Sequence, residues 1–260
     1  MSNESLLKIA NKLGLDEASI ENALKSKDSL PLVSFSGWYL SGKDTVALAV
    51  YKELGVAYKH LSFGSSIKYE LNEIIKVLSL QESLKQSCKS IESMMNISIN
   101  DGLILCNILL ESPEGIFDGT LDAHQRTIPI RKALQYLGTE VRRAQDPNYW
   151  ITQAQQEAVQ ELARGKAFVF TDVRFPDEAE GLKEIGAKIF RLTISRETQL
   201  KRLQIRDGIN HSDPNTLLHP TETALTDNYP GFDAVIDNER EISMVVATVI
   251  NKMQSNPINE

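Results

Sequence analysis

The 260-residue chain has very little cysteine, only Cys88 and Cys106. They fit no metal-ligand spacing, and a chain this long and cysteine-poor is not a disulfide scaffold, so both read as ordinary thiols in a reducing cytosol. A surplus of positive charge is also lacking: 28 Lys and Arg against 35 Asp and Glu leave a net charge of -7. That balance argues against a wrapped nucleic-acid surface, which needs a basic face to neutralise phosphates, and leaves room only for a local basic pocket. No apolar run reaches the length of a membrane span, and the opening Met-Ser-Asn-Glu-Ser lacks the basic region and apolar stretch of a signal peptide. The expectation is a cytoplasmic protein with neither membrane nor nucleic acid as partner. No internal repeat is visible, and no N-K-x-D guanine motif speaks for a GTPase.

What remains is ordinary for a globular chain, 42% hydrophobic and 24% charged. At roughly 100 to 200 residues per domain, the length allows one large domain with inserted lobes. The rest of the sequence is organised around Ser34 to Val46, in which Gly37, Gly42 and Lys43 hold the spacing G-x-x-x-x-G-K. In a phosphate-binding loop of this kind, backbone N–H groups curl around an anion and the lysine adds a mobile positive charge. Pro31 to Ser36 is a short apolar run suited to a buried strand, and Asp44 to Leu54 carries apolar residues at helical spacing. Strand, glycine turn and helix follow in the required order, and the helix N-terminus turns its free N–H groups and positive dipole end toward a phosphate. Asp44 replaces the usual serine or threonine, and the first hydroxyl is at Thr45. Both are hard oxygen donors suited to a hydrated Mg²⁺.

Residues 4 to 13 and 17 to 26 predict a helical hairpin, with Asp16 as an N-cap between them and Asp28-Ser29 as a polar link. It reads as packing or oligomer surface, in the latter case of a homodimer. After Gly55 as a C-cap, Ala57 to Phe63 predicts a second strand, followed by helices over Ile67 to Leu80, Glu82 to Met95 and Asp101 to Glu111. Glu114 to Thr127 is turn-rich and predicts a loop. Ile130 to Ala144 predicts a helix bent near Gly138, and Asn148 to Arg164 another, ended by Gly165. Ala167 to Thr171 is a continuous apolar run that delivers Asp172 to a strand end, and Pro176 opens the next helix. Lys188 to Ile194 and Asp233 to Asp237 complete five strands, separated by a helix over Arg196 to Arg206 and a polar loop to Leu218. Glu241 to Met253 closes the described pattern as a helix. Strands alternating with helices predict an α/β fold with a mostly parallel sheet, which binds ligands outside the carboxyl ends of its strands.

Phosphoryl transfer needs a cradle, a metal and positive groups that neutralise the moving phosphoryl oxygens. Lys43 would bridge the donor phosphates, while Asp44, Thr45 and Asp172 would hold or orient Mg²⁺. Arg174 can form a bidentate contact with an acceptor phosphate or pair with Asp177 or Glu178. Arg196, Arg202 and Arg206 belong either to a lid that closes on the transferring phosphate or to a solvated helix face; Arg202 and Arg206 are four apart and share a face.

Four stretches carry a resemblance to the deoxynucleoside monophosphate kinases of bacteriophages. They are Ser41 to Ala47 (SGKDTVA), Thr171 to Glu180 (TDVRFPDEAE), Arg131 to Trp150 (RKALQYLGTEVRRAQDPNYW), and His219 to Leu225 (HPTETAL) followed by Asp233 to Asn238 (DAVIDN). In motif order the resemblance spans about residues 32 to 253 and omits the N-terminal hairpin. It implies a P-loop kinase fold of five mostly parallel strands flanked by helices, with a helical monophosphate-binding lobe at about 65–165 and an arginine-bearing lid at about 195–220. It further implies transfer of the ATP γ-phosphate to a deoxynucleoside monophosphate. Asp172, Arg174, Glu178 and Trp150 would line the acceptor site with Arg131 nearby. Gly37, Ser41, Gly42, Lys43, Asp44 and Thr45 would hold ATP, its adenine near Asp237 and Asn238. From the residues alone, Glu178 also reads as a helix-start acid and Trp150 as a core aromatic. Arg142 departs from the family pattern, and Leu71 to Arg126 aligns with none of it. The remaining alternatives are another small-molecule P-loop kinase and a catalytically silent nucleotide-binding module.

Overall fold

In a computed structural model, residues 3–111, 128–207 and 224–254 are described, apart from the side chains of Ile128, Arg131, Arg206 and Asp207. The predicted loop at Glu114 to Thr127 and most of the polar loop after Arg206 lie outside these residues. Five strands form one parallel sheet: β1 (Val33–Gly37), β2 (Tyr58–Leu61), β3 (Ala167–Val173), β4 (Lys188–Thr193) and β5 (Ala234–Asp237). Their order is β2-β3-β1-β4-β5. This is the expected α/β class: a parallel sheet flanked by helices with a glycine loop after its first strand.

The chain divides into two units, Met1–Phe63 with Ile151–Glu260, and Gly64–Trp150. The first holds the sheet. Its inner strands are buried along their length, with Phe35, Phe168, Phe170 and Phe190 fully enclosed, as strands covered on both faces require. β1 is central: Val33 pairs with Val169 of β3 on one side and with Lys188 of β4 on the other. Strand order therefore reverses about β1, and the crevice beyond its carboxyl end is the place where such sheets bind ligands. The segment after β1 is the glycine loop.

The N-terminal hairpin, α1 (Glu4–Lys12) and α2 (Glu17–Ser29), belongs to this unit. Asp16 caps α2 by accepting from the Ser19 N–H at 2.8 Å, as its position predicts. Leu6, Ala10 and Ala23 are fully buried and Asn22 donates to the Ala163 carbonyl, so the hairpin buries its apolar face locally. Asp28 and Ser29 prove to be the last turn of α2 rather than a link. α3 (Lys43–Leu54) follows the loop and ends at Gly55, whose positive φ of 62° and bond to the Tyr51 carbonyl make it the expected C-cap.

The second unit is helical and has its own core. α4 (Phe63–Leu80) enters it, followed by α5 (Leu84–Met95), α6 (Ile99–Leu110) and α7 (Ile128–Gln135). Leu71, Ile74, Ile91, Ile97, Leu105, Leu109 and Leu137 are among the residues enclosed there. Both cysteines are buried in this core, and burial pushes the Cys106 thiol up to about 12, with Cys88 adding to the effect. They are unreactive thiols by environment. The expected bend at Gly138 takes the form of π-helix over Tyr136–Arg143, where a widened turn absorbs an extra residue. α8 (Tyr149–Ala163) begins in this unit, and from Ile151 onward it belongs to the sheet unit. α9 (Pro176–Glu184), α10 (Arg196–Asp207) and α11 (Ile242–Gln254) complete the sheet unit, with α11 against α3 and β5.

Two strands differ from expectation. β2 stops at Leu61 because Phe63 already opens α4, and β3 runs past Thr171 to Val173. Asp172 therefore lies inside the strand.

Candidate functional site

The loop joining β1 to α3 turns on three residues with positive φ: Gly37 at 151°, Leu40 at 65° and Gly42 at 87°. A Cβ on Gly37 would lie 2.6 Å from the Leu192 carbonyl oxygen and 2.5 Å from Ser41 Oγ, so the residue is confined to glycine by close approach of backbone. Gly42 is the N-cap of α3, placing the unsatisfied N–H groups of that helix at the loop mouth.

Lys43 folds its ammonium onto the loop, donating to the Gly37 carbonyl at 2.8 Å, the Trp38 carbonyl at 2.9 Å and Ser41 Oγ at 3.4 Å. An anion arriving in the loop would compete with these carbonyls for the same charge, which is how a lysine on a flexible stem can follow a phosphate. Ser41 is fully buried and its N–H donates to the Trp38 carbonyl.

Three side chains from outside the loop hold its carbonyls. Gln199 Nε2 donates to Tyr39 O at 2.9 Å, Arg202 Nη1 to Leu40 O at 2.9 Å, and Asn238 Nδ2 to Ser41 O at 2.6 Å. Arg202, expected on a lid or a solvated face, thus sits against the glycine loop, and Asn238, expected near an adenine, is a buried brace of the same loop. Arg196 is exposed and donates to Gln199 Oε1 at 2.6 Å. The Arg206 side chain lies outside the described ones. Gln199 was not singled out from sequence; its helical i, i+3 spacing from both Arg196 and Arg202 was the signal that could have found it.

Asp44 and Thr45 occupy the first turn of α3, both exposed. Asp44 Oδ1 accepts from Thr171 Oγ1 at 2.5 Å, and His60 Nε2 lies 2.8 Å from the same hydroxyl. Because that hydroxyl's single proton points to Asp44, the imidazole is the donor to it. Asp172 accepts from Ser62 Oγ at 2.7 Å and from the Phe63 N–H at 3.2 Å, which ties it to the start of α4. A carboxylate and a hydroxyl at the loop mouth fit Mg²⁺, an ion that keeps several waters and substrate phosphates and asks few ligands of the protein. Among the described residues no group of three His, Cys, Asp or Glu is placed to hold an ion by itself.

Arg174 follows β3 directly. Its N–H and that of Phe175 donate to Glu178 Oε2 at 2.8 and 3.2 Å. Glu178 is buried and accepts from the backbone ahead of α9, the place its helix-start reading gives it. In the helical unit Trp150 is 2% exposed, donates its indole N–H to the Gly138 carbonyl at 2.9 Å and meets Tyr149 edge to face. That is the position of a packed core aromatic rather than an open ligand platform. Arg131 lies on α7 with its side chain outside the described ones. Elsewhere in the same unit, Glu70 accepts from Arg142 Nε at 2.8 Å and from the Tyr149 hydroxyl at 2.5 Å, and burial, then Glu70, pushes that phenol up to about 12.

No protein-family model matches the chain, and neither does any curated protein. Among solved structures it is similar to a gluconokinase from Sinorhizobium meliloti 1021, at 14% identity and a TM-score of 0.44, over 86% of this chain and 91% of that one. The fold is read from the sheet order and the loop, not from this likeness.

Proposed function

We propose that the protein is an ATP-dependent kinase of a small phosphorylated acceptor, and that the acceptor is a deoxynucleoside monophosphate. The observation that carries the kinase reading is the loop between β1 and α3, with its positive-φ glycines, an exposed helix start and Lys43 within reach of an anion. Loops of this build hold the phosphates of a nucleoside triphosphate. The acceptor follows from the likeness of residues 171–180 and 131–150 to the phage kinases.

The γ-phosphoryl group would lie in the loop against Lys43 and the α3 N-terminus, which neutralise charge developing on its oxygens. An already ionised oxygen of the acceptor phosphate attacks the γ-phosphorus, the bond to the β–γ bridging oxygen breaks, and ADP leaves with that electron pair. No general base is required. Bound Mg²⁺ would supply charge neutralisation across the donor phosphates, held on the protein side by Asp44 and Thr45. Arg174 would orient the acceptor phosphate.

The test is coupled ADP release from ATP and Mg²⁺ against each deoxy- and ribonucleoside monophosphate. Acceleration by one or more deoxynucleoside monophosphates supports the reading, with Lys43→Ala expected to lose transfer while keeping its melting temperature. Saturable ATP binding without turnover on any of them points to a different acceptor or to a silent nucleotide-binding module.

A further inference from the structure

The carbonyls of three consecutive loop residues, Tyr39, Leu40 and Ser41, are each held by a side-chain donor from a distant part of the chain. Gln199 and Arg202 reach them from α10, and Asn238 from the segment after β5. A trans peptide points its carbonyl and the following N–H to opposite sides of the chain. Fixing those carbonyls therefore aims the N–H groups of Leu40 and Gly42 away from the donors, while the Ser41 N–H is turned back to Trp38 O. The donors are themselves placed firmly. Gln199 is 2% exposed with its Oε1 held by Arg196, and Asn238 is 8% exposed. They also crowd their side of the loop, since a Cβ on Gly42 would lie 2.6 Å from Asn238 Nδ2 and 3.4 Å from Arg202 Nη1. Leu40 has a Cβ and still adopts a φ of 65°, a conformation that persists where surroundings over-determine it.

We propose that Gln199, Arg202 and Asn238 form a three-point clamp that holds the loop in its anion-binding conformation. Arg202 is then a positioning residue for the donor triphosphate and does not touch the group in transfer. The proposal rests on the reading of the loop as a triphosphate site. It couples that site to α10, so a displacement of this helix changes the affinity for the donor nucleotide.

The experiment is calorimetric titration of inorganic tripolyphosphate and of Mg²⁺-ATP into the unaltered chain, Arg202→Met, Arg202→Lys and Asn238→Ala. Steady-state kinetics and the backbone amide resonances of Leu40 and Gly42 are recorded on the same samples. Loss of one charged hydrogen bond to the loop should weaken both ligands about tenfold in Arg202→Met, with partial recovery in Arg202→Lys. The amide resonances should shift and KM for ATP should rise more than kcat falls. Asn238→Ala should show the same signature from a different element. Unchanged tripolyphosphate affinity with a fall confined to kcat overturns the clamp and makes Arg202 a group that meets the transferring phosphate. Tripolyphosphate binding without phosphate transfer to any acceptor overturns the kinase reading alone, and absence of tripolyphosphate binding by the unaltered chain overturns both.

Discussion

Gly42 stands where a side chain would be both strained and crowded: its φ of 87° is left-handed, and a Cβ would lie 2.6 Å from Asn238 Nδ2 and 3.4 Å from Arg202 Nη1. Gly42→Ala should therefore act on the site more than on the fold. The backbone strain costs about 1 to 2 kcal/mol, while displacement of Asn238 and Arg202 should weaken ATP binding by about tenfold or more. Titration calorimetry beside thermal melts checks both, and a melt lowered with affinity intact would show that the donors move aside. At this scale the glycine turn at Gly37 and Gly42, with Lys43 opening α3, was legible in the sequence because the G-x-x-x-x-G-K spacing is local. Leu40 was not, since nothing about a leucine signals a left-handed backbone. Glu178 and Trp150 were ambiguous for another reason: a helix-start acid and a substrate acid look alike in sequence, and the structure adds that Glu178 accepts from the Arg174 and Phe175 N–H groups.

Among the elements, α10 is tied at its start to the end of β5. Glu239 accepts from the Ser195 N–H at 3.1 Å, from Ser195 Oγ at 2.6 Å and from the Thr198 hydroxyl. The Ser195 hydroxyl, then Thr198 and the Ser195 N–H, hold its carboxyl down at about 2 from an ordinary 4.5. A folded-state pKa below the unfolded one stabilises above the unfolded value, and the contribution is lost as pH falls through the folded one. The melting-temperature difference between the unaltered chain and Glu239→Gln should therefore be constant above pH 4.5 and shrink from there down to about pH 2. Because Glu239 is exposed, the difference should be small and reduced by salt. A difference independent of pH would leave the ionised carboxylate without a part in the tie. Helix and strand identities were readable from apolar period, but several ends were not. Asp28 and Ser29 extend α2, Phe63 cuts β2 short, and β3 carries Asp172 inside it. Ends depend on who accepts and donates at a terminus, and those partners come from remote sequence.

At the scale of the molecule, the described residues pack around the sheet in one unit and among α4 to α7 in the other. The helical unit contains a buried ion pair, Arg142 to Glu70, with side chains 5% and 13% exposed. Glu70→Ala would leave Arg142 buried without its anion and the Tyr149 hydroxyl without its acceptor, at a cost of about 3 to 5 kcal/mol. Urea unfolding measures it, and the double replacement Glu70→Leu with Arg142→Met should recover most of the loss. A loss below about 1 kcal/mol would mean that water replaces the carboxylate.

The sequence by itself determined the α/β alternation, the five strands and the place of the glycine loop after β1, because hydrophobic period and glycine spacing are local properties of the chain. Only the tertiary structure decided the rest. It set β1 between β3 and β4, gave Thr171 to Asp44 and Ser62 to Asp172, and brought Gln199, Arg202 and Asn238 onto the loop. Those partners lie more than a hundred residues apart in sequence. They meet because the parallel sheet collects strand ends at one edge, and no periodicity in the chain encodes that meeting.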